Sequence, residues 1–126
     1  MSLSNYAENL VAKWLFTGDS ATRPTAWHVA LFTSDPTDAG SGTEVSGGSY
    51  ARKSASFTVT SDMARNSAGV EFDAATASWG TVTHFGVYDA STGGNLIVHG
   101  ALTSSVAISS GDVLRFDAGE LDVTFS

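Results

Sequence analysis

Cysteine is absent from the 126-residue chain, which excludes disulfides and thiolate zinc sites. Proline occurs twice against thirteen glycines, so the turns fall mainly to glycine. Basic residues are also scarce: six Lys and Arg stand against thirteen Asp and Glu, for a net charge of −7. Binding to nucleic acid needs clustered cations on the phosphates, and the one adjacent basic pair is Arg52-Lys53. Nucleic acid and an anionic membrane surface are therefore excluded as partners. No long apolar run is present either. The N-terminal MSLSNYAENLVAKWLF has no basic lead-in and carries Glu8 and Lys13 inside its apolar stretch, unlike a signal peptide or a membrane span.

The chemical motifs are missing as well. There is no G-x-S-x-G, no S-x-x-K and no thiol to activate. The glycine-rich GSGTEVSGGS lacks the lysine of a phosphate-binding loop and the strand-turn-helix setting of a dinucleotide site. No catalytic residue, resident metal or cofactor is expected.

What is present reads as one domain over residues 1–126. Ala7, Leu10, Val11, Trp14 and Leu15 recur at helical spacing, predicting an amphipathic helix over residues 5–17 whose stripe, Trp14 included, packs on the core. Asn5 with Glu8 three residues on suggests the N-cap, and Gly18 a left-handed stop. Ala26–Ser34, AWHVALFTS, is apolar at nearly every position and reads as a strand covered on both faces. Asp35–Ser49 is rich in Gly, Ser, Thr and Asp, a long surface loop of a length that points to function. YARKSASFTV, GVEFDA, TVTHFGVYDA, NLIVHGALTSS, VAISS, VLRFDAG and LDVTFS follow as short segments with turn-like spacing. The expected fold is an antiparallel β-sandwich of about seven or eight strands with one N-terminal helix. A barrel-like closure is the alternative.

HFGVYDASTGGNLIVHG, residues 84–100, places a histidine at each end of a hairpin. A three-residue turn at Ser91-Thr92-Gly93 puts Val87 opposite Ile97, Phe85 opposite His99 and His84 opposite Gly100. His84 and His99 then lie on opposite faces and cannot share a metal. A four-residue turn would set them face to face. The glycine position favours the first register, which makes all three histidines scaffold.

The remaining polar constellations have plain explanations. Glu71 with Asp73, and Glu120 with Asp122, each share one strand face; a glycosidase would use such a pair, but so does any half-buried strand. Asp35, Asp38 and Glu44 could offer oxygens to calcium, without the order of a calcium loop. These three and Trp79, which opens a strand beside Gly80 and is the tryptophan expected to be partly exposed, are the candidate surface-contact residues.

The order of features resembles a family of small tailed-bacteriophage proteins labelled tail-fibre, minor tail or unassigned virion proteins. It is carried by "RPTAWHVALFTSDPTDAG", "EVSGGSYAR", "GVEFDAATASWGTVTHFGVYDASTGGNLIVHGALTSS" and "ISSGDVLRFDAGELDVTF". It spans about Asn5 to Phe125 and is most specific in WGTVTHFGVYDA with the later GALT. The resemblance implies a non-enzymatic virion component on the tail or as a capsid decoration, meeting other virion proteins and itself, with a trimer favoured. A carbohydrate-binding module attaching to a host glycan through Trp79 or loop side chains is the alternative, and a small glycan-degrading enzyme using Glu71 and Asp73 ranks last. The helix, the Asp35–Ser49 loop and the strand ending at Ser126 are the expected contact regions.

Overall fold

The structure, a computed structural model, describes residues 1–125. Ser126 lies outside the described residues. The fold is mainly antiparallel β with one helix: β1 (Ser2–Leu3), α1 (Asn5–Phe16), β2 (His28–Phe32), β3 (Lys53–Ser54), β4 (Phe57–Thr60), β5 (Met63–Asn66), β6 (Val70–Glu71), β7 (Gly80–Tyr88), β8 (Leu96–Ile108), β9 (Arg115–Phe116) and β10 (Asp122–Thr124). Ten strands exceed the seven or eight expected, because several are two-residue pairings too short to carry a pattern. The strands form a five-stranded sheet in the order β1-β8-β7-β2-β3, a three-stranded sheet β10-β5-β4 and a two-stranded sheet β6-β9.

The two smaller sheets cover one face of the large one. Val29, Leu31, Phe85, Val87 and Val98 from the large sheet meet Val70, Phe116 and Val123 from the small ones in one core. A second, smaller cluster of Ala30, Phe32, Tyr88 and Leu96 fills the opposite face. Both faces of β2 are thus covered, which explains its unbroken apolar run. In β6 and β10 the alternation runs as expected: Phe72, Val70, Leu121 and Val123 point inward while Glu71, Asp73, Glu120 and Asp122 stay in solvent.

The hairpin register differs from the sequence expectation. Tyr88 pairs with Leu96, as the three-residue turn requires, but a bulge at Ile97 then shifts the pairs from Val87 to His84 by one, and a second irregularity between Val82 and His84 shifts the rest further. Val87 faces Val98, Phe85 faces Gly100 and His84 faces Ala101. A one-residue slip exchanges the two faces of a strand, so Val98 is core and His99 moves to the side that carries His84. The shared face still makes no site. His84 Nδ1 is hydrogen-bonded to Thr83 Oγ1 at 2.8 Å, and His99 to Asp38.

Helix α1 forms where the periodicity places it, with corrected ends. Ser4, not Asn5, is the N-cap: its Oγ accepts from Ala7 N at 3.1 Å and donates to the Leu96 carbonyl. Thr17 caps the C-terminus in an extended conformation, and Gly18 does not take the left-handed one. The loop from residues 35 to 49 is less of a surface loop than its composition suggests. Val45 and Pro36 are buried, and Val45 N bonds Leu31 O, adding a short pairing beside β2.

β5 carries no apolar alternation and was not expected. Its end is fixed by Asn66, which is fully buried and saturated. The amide nitrogen donates to the carbonyls of Ala68 (2.8 Å) and Asp117 (3.0 Å), and its oxygen accepts from Gly119 N (3.0 Å) and Leu121 N (2.9 Å). Removing the amide strands Leu121 N and the Ala68 carbonyl, while Gly119 N keeps the Asn66 carbonyl and the Asp117 carbonyl keeps Glu120 N. Asn66→Ala should therefore cost about 2–3 kcal/mol in urea unfolding, more than an average substitution.

Candidate functional site

The most strongly organised polar cluster lies where the long loop, β2 and the β7–β8 turn meet. Glu44 is brought there by a lone bridge to Phe32. Arg52 grips its carboxylate with both arms, Nε to Oε2 at 2.9 Å and Nη2 to Oε1 at 2.8 Å. The Tyr50 hydroxyl donates to the same Oε2 at 2.6 Å and accepts from Leu31 N at 3.0 Å. Arg52 Nη1 reaches across to the carbonyls of Ala90 (3.0 Å) and Gly93 (2.8 Å), while its guanidinium lies 3.7 Å over the Tyr88 ring. The Arg52 side chain is 8% exposed and that of Glu44 27%.

This environment sets the charges. Burial disfavours the Glu44 carboxylate, but hydrogen bonds from Arg52 and Tyr50 and the charge of Arg52 outweigh it and hold the carboxyl below its ordinary range. Burial and the neighbouring Glu44 push the Tyr50 hydroxyl well above that of a free phenol. The Glu44 hydrogen bonds raise Arg52 further. All three shifts move away from neutrality, so the cluster is a fixed ion pair rather than a proton-transfer device. It ties a flexible-looking loop to the hairpin turn. Sequence reasoning singled out Glu44 but missed its partners; Tyr50 and Arg52 were visible only as part of EVSGGSYAR.

Asp35 and Asp38 do not join Glu44. Asp38 Oδ1 lies 2.7 Å from His99 Nε2, and Asp35 Oδ1 lies 3.8 Å from His99 Nδ1 and accepts from Thr37 N at 2.9 Å. The loop is thereby fastened to β8, beside the Asn5 N to Asp38 O bond that starts the helix. Among the described residues no group of three or more His, Asp or Glu is placed to hold a metal ion. Glu71 and Asp73 are divided between two cations, Arg115 at 3.7 Å and Lys53 at 2.9 Å. These are exposed pairs of small energetic weight.

The tryptophans reverse their expected roles. Trp79 is 4% exposed, packed edge-on against Tyr50 and Phe72, with its Nε1–H donating to Gly48 O at 2.9 Å. It presents no stacking surface to a sugar, so a glycan site of the expected kind would be left to loop side chains. Trp14 is instead 71% exposed, with Leu15 at 58% and Phe16 at 83%. The cause is geometric. Ala7 is the one buried residue of α1, so the stripe is covered at its base and bare from Val11 onward. The helix leaves the body of the protein, and sequence periodicity does not show where a helix points.

Among the described residues no helix is long and apolar enough to cross a membrane. No curated protein matches the chain. A family of phage structural proteins does match, over nearly its whole length and across the loop, the fixed ion pair and the hairpin just described. From residue 2 to residue 124 the chain belongs to the family described as Podophage GP4 fiber I protein gp80, a family of bacteriophage fibre and virion proteins.

Proposed function

We propose that the protein is a non-enzymatic part of the phage fibre apparatus that works by protein–protein contact and self-association, with three copies about a common axis as the expected stoichiometry. The observation that carries this reading is the bare apolar end of α1, Trp14, Leu15 and Phe16. Monomeric soluble proteins seldom leave three consecutive large apolar residues in water, and such patches mark interaction sites. Family membership supports a position on the fibre rather than on the head. A polar cluster locked away from neutral titration supports building over catalysis.

Gold-labelled antibody on intact particles tests the position. Label confined to the tail or its fibres is the expected result. Label spread evenly over the head would make the protein a capsid decoration and overturn the fibre assignment.

A further inference from the structure

The chain carries two unpartnered apolar features on different parts of its surface. One is the projecting end of α1. The other is a groove of about 270 Å³ between the edge of the large sheet and the β10-β5-β4 sheet, in which every lining side chain is apolar. Leu3, Trp27 and Ile97 form one wall, and Phe57, Val59 and Phe125 form the other. Val59 and Phe125 are both exposed at its rim. The groove has room for an aromatic side chain.

We infer that the two features are halves of one head-to-tail interface, in which the bare end of α1 of one copy docks on the apolar groove of the next with Trp14 seated in it. The inference rests on the reading that the chain self-associates, and adds where and with what geometry.

Two arguments select a second copy as the occupant. The first is area. The bare end of α1 offers roughly 500 Å², given about 150–250 Å² for each large aromatic. Matched by an equal area of groove, one contact reaches only about 1,000 Å², the threshold of a specific interface. A helix-to-helix pair would use one patch and leave the groove bare. Seating knob in groove covers both, and closing a ring gives every copy two contacts. The second is charge. Lys13, beside Trp14, is the sole basic residue of α1. The groove is flanked by acidic positions, Asp62, whose carbonyl accepts Phe125 N at 2.7 Å, and Asp122 next to Val123.

Sedimentation velocity on the full chain and two variants tests the interface. Trp14→Gln with Phe16→Gln removes the knob, and Val59→Lys blocks the groove; all three positions are exposed, and circular dichroism and thermal melting check that each variant folds. Wild type should self-associate, and each variant alone should dissociate at least tenfold more readily. An equimolar mixture should recover a one-to-one pair and nothing larger, because one intact knob and one intact groove remain between them. If the knob variant dissociates but the mixture does not recombine, the helix meets something other than the groove and the inference is overturned. If both variants assemble like wild type, the inference fails while self-association stands. A wild type that stays monomeric at its highest soluble concentration overturns both.

Discussion

Trp79→Ala should lower the free energy of unfolding by about 3–5 kcal/mol, the range for deleting a large buried aromatic. Trp79 is one corner of an aromatic triad, 5.5 Å from Tyr50 and 6.4 Å from Phe72 between ring centroids. Its indole nitrogen also holds Gly48, which adopts φ +56 and where an added Cβ would lie 2.8 Å from that nitrogen. The backbone there cannot close over the cavity without the glycine's own conformation changing. Trp79→Phe separates the two contributions. It keeps most of the packing and removes the donor, and Gly48 O still accepts from Thr76 N at 3.0 Å. Its cost should be about 1–2 kcal/mol. Urea unfolding followed by far-ultraviolet circular dichroism gives both numbers. Equal stability of Trp79→Ala and wild type would mean that the tryptophan is not in the core.

Arg52→Met should have a comparable effect, about 3 kcal/mol, because it leaves the half-buried Glu44 carboxylate with only the Tyr50 hydroxyl. The lower end of the range for broken buried pairs applies, since Glu44 keeps enough exposure to recruit water. Two turn carbonyls, Ala90 O and Gly93 O, lose their donor in the same substitution. Adding Glu44→Gln to Arg52→Met should restore part of the loss, since a neutral amide no longer leaves a charge unpaired.

The pH dependence follows from the direction of the Glu44 shift. Its folded pKa is depressed, so its stabilising contribution is full above the unfolded value of about 4.3 and is lost as pH falls through the lower folded value. Wild type should therefore lose stability through that acid window, and Arg52→Met should lose markedly less there. An unchanged acid profile in Arg52→Met would show that other carboxylates govern acid unfolding.

Several parts of this architecture are legible in the residues alone. The unbroken run Val29-Ala30-Leu31-Phe32 announces a strand covered twice, and Val70-Glu71-Phe72-Asp73 announces its inward and outward faces. The helix over Asn5–Phe16 is equally plain. What is not legible depends on partners distant in sequence. The bulge at Ile97 leaves no compositional trace, yet it decides which of Val98 and His99 enters the core. Met63–Asn66 forms a strand because β4 and β10 flank it, not because its residues favour one. Trp14 lies on an apolar stripe and Trp79 between Ser78 and Gly80, yet the direction in which α1 leaves the sheet bares the first, while packing on Tyr50 and Phe72 buries the second. The Glu44–Arg52 pair spans eight residues across a loop, a separation at which no local periodicity operates.

The anchorage of α1 bears on the shape of any assembly. Among the described residues, the hydrogen bonds that fix the helix to the rest of the chain are at its first turn: Ser4 to the Leu96 carbonyl, Ser4 N to Ile97 O at 2.8 Å and Asn5 N to Asp38 O at 2.9 Å. The helix is a cantilever, clamped at one end and loaded at the other. A small tilt at the clamp is multiplied along about 18 Å of rise before it reaches Phe16. In the head-to-tail assembly proposed above, the angle between neighbouring copies is set at this clamp, with Ser4, Asp38 and the bulge beside Ile97 as its hinge pin.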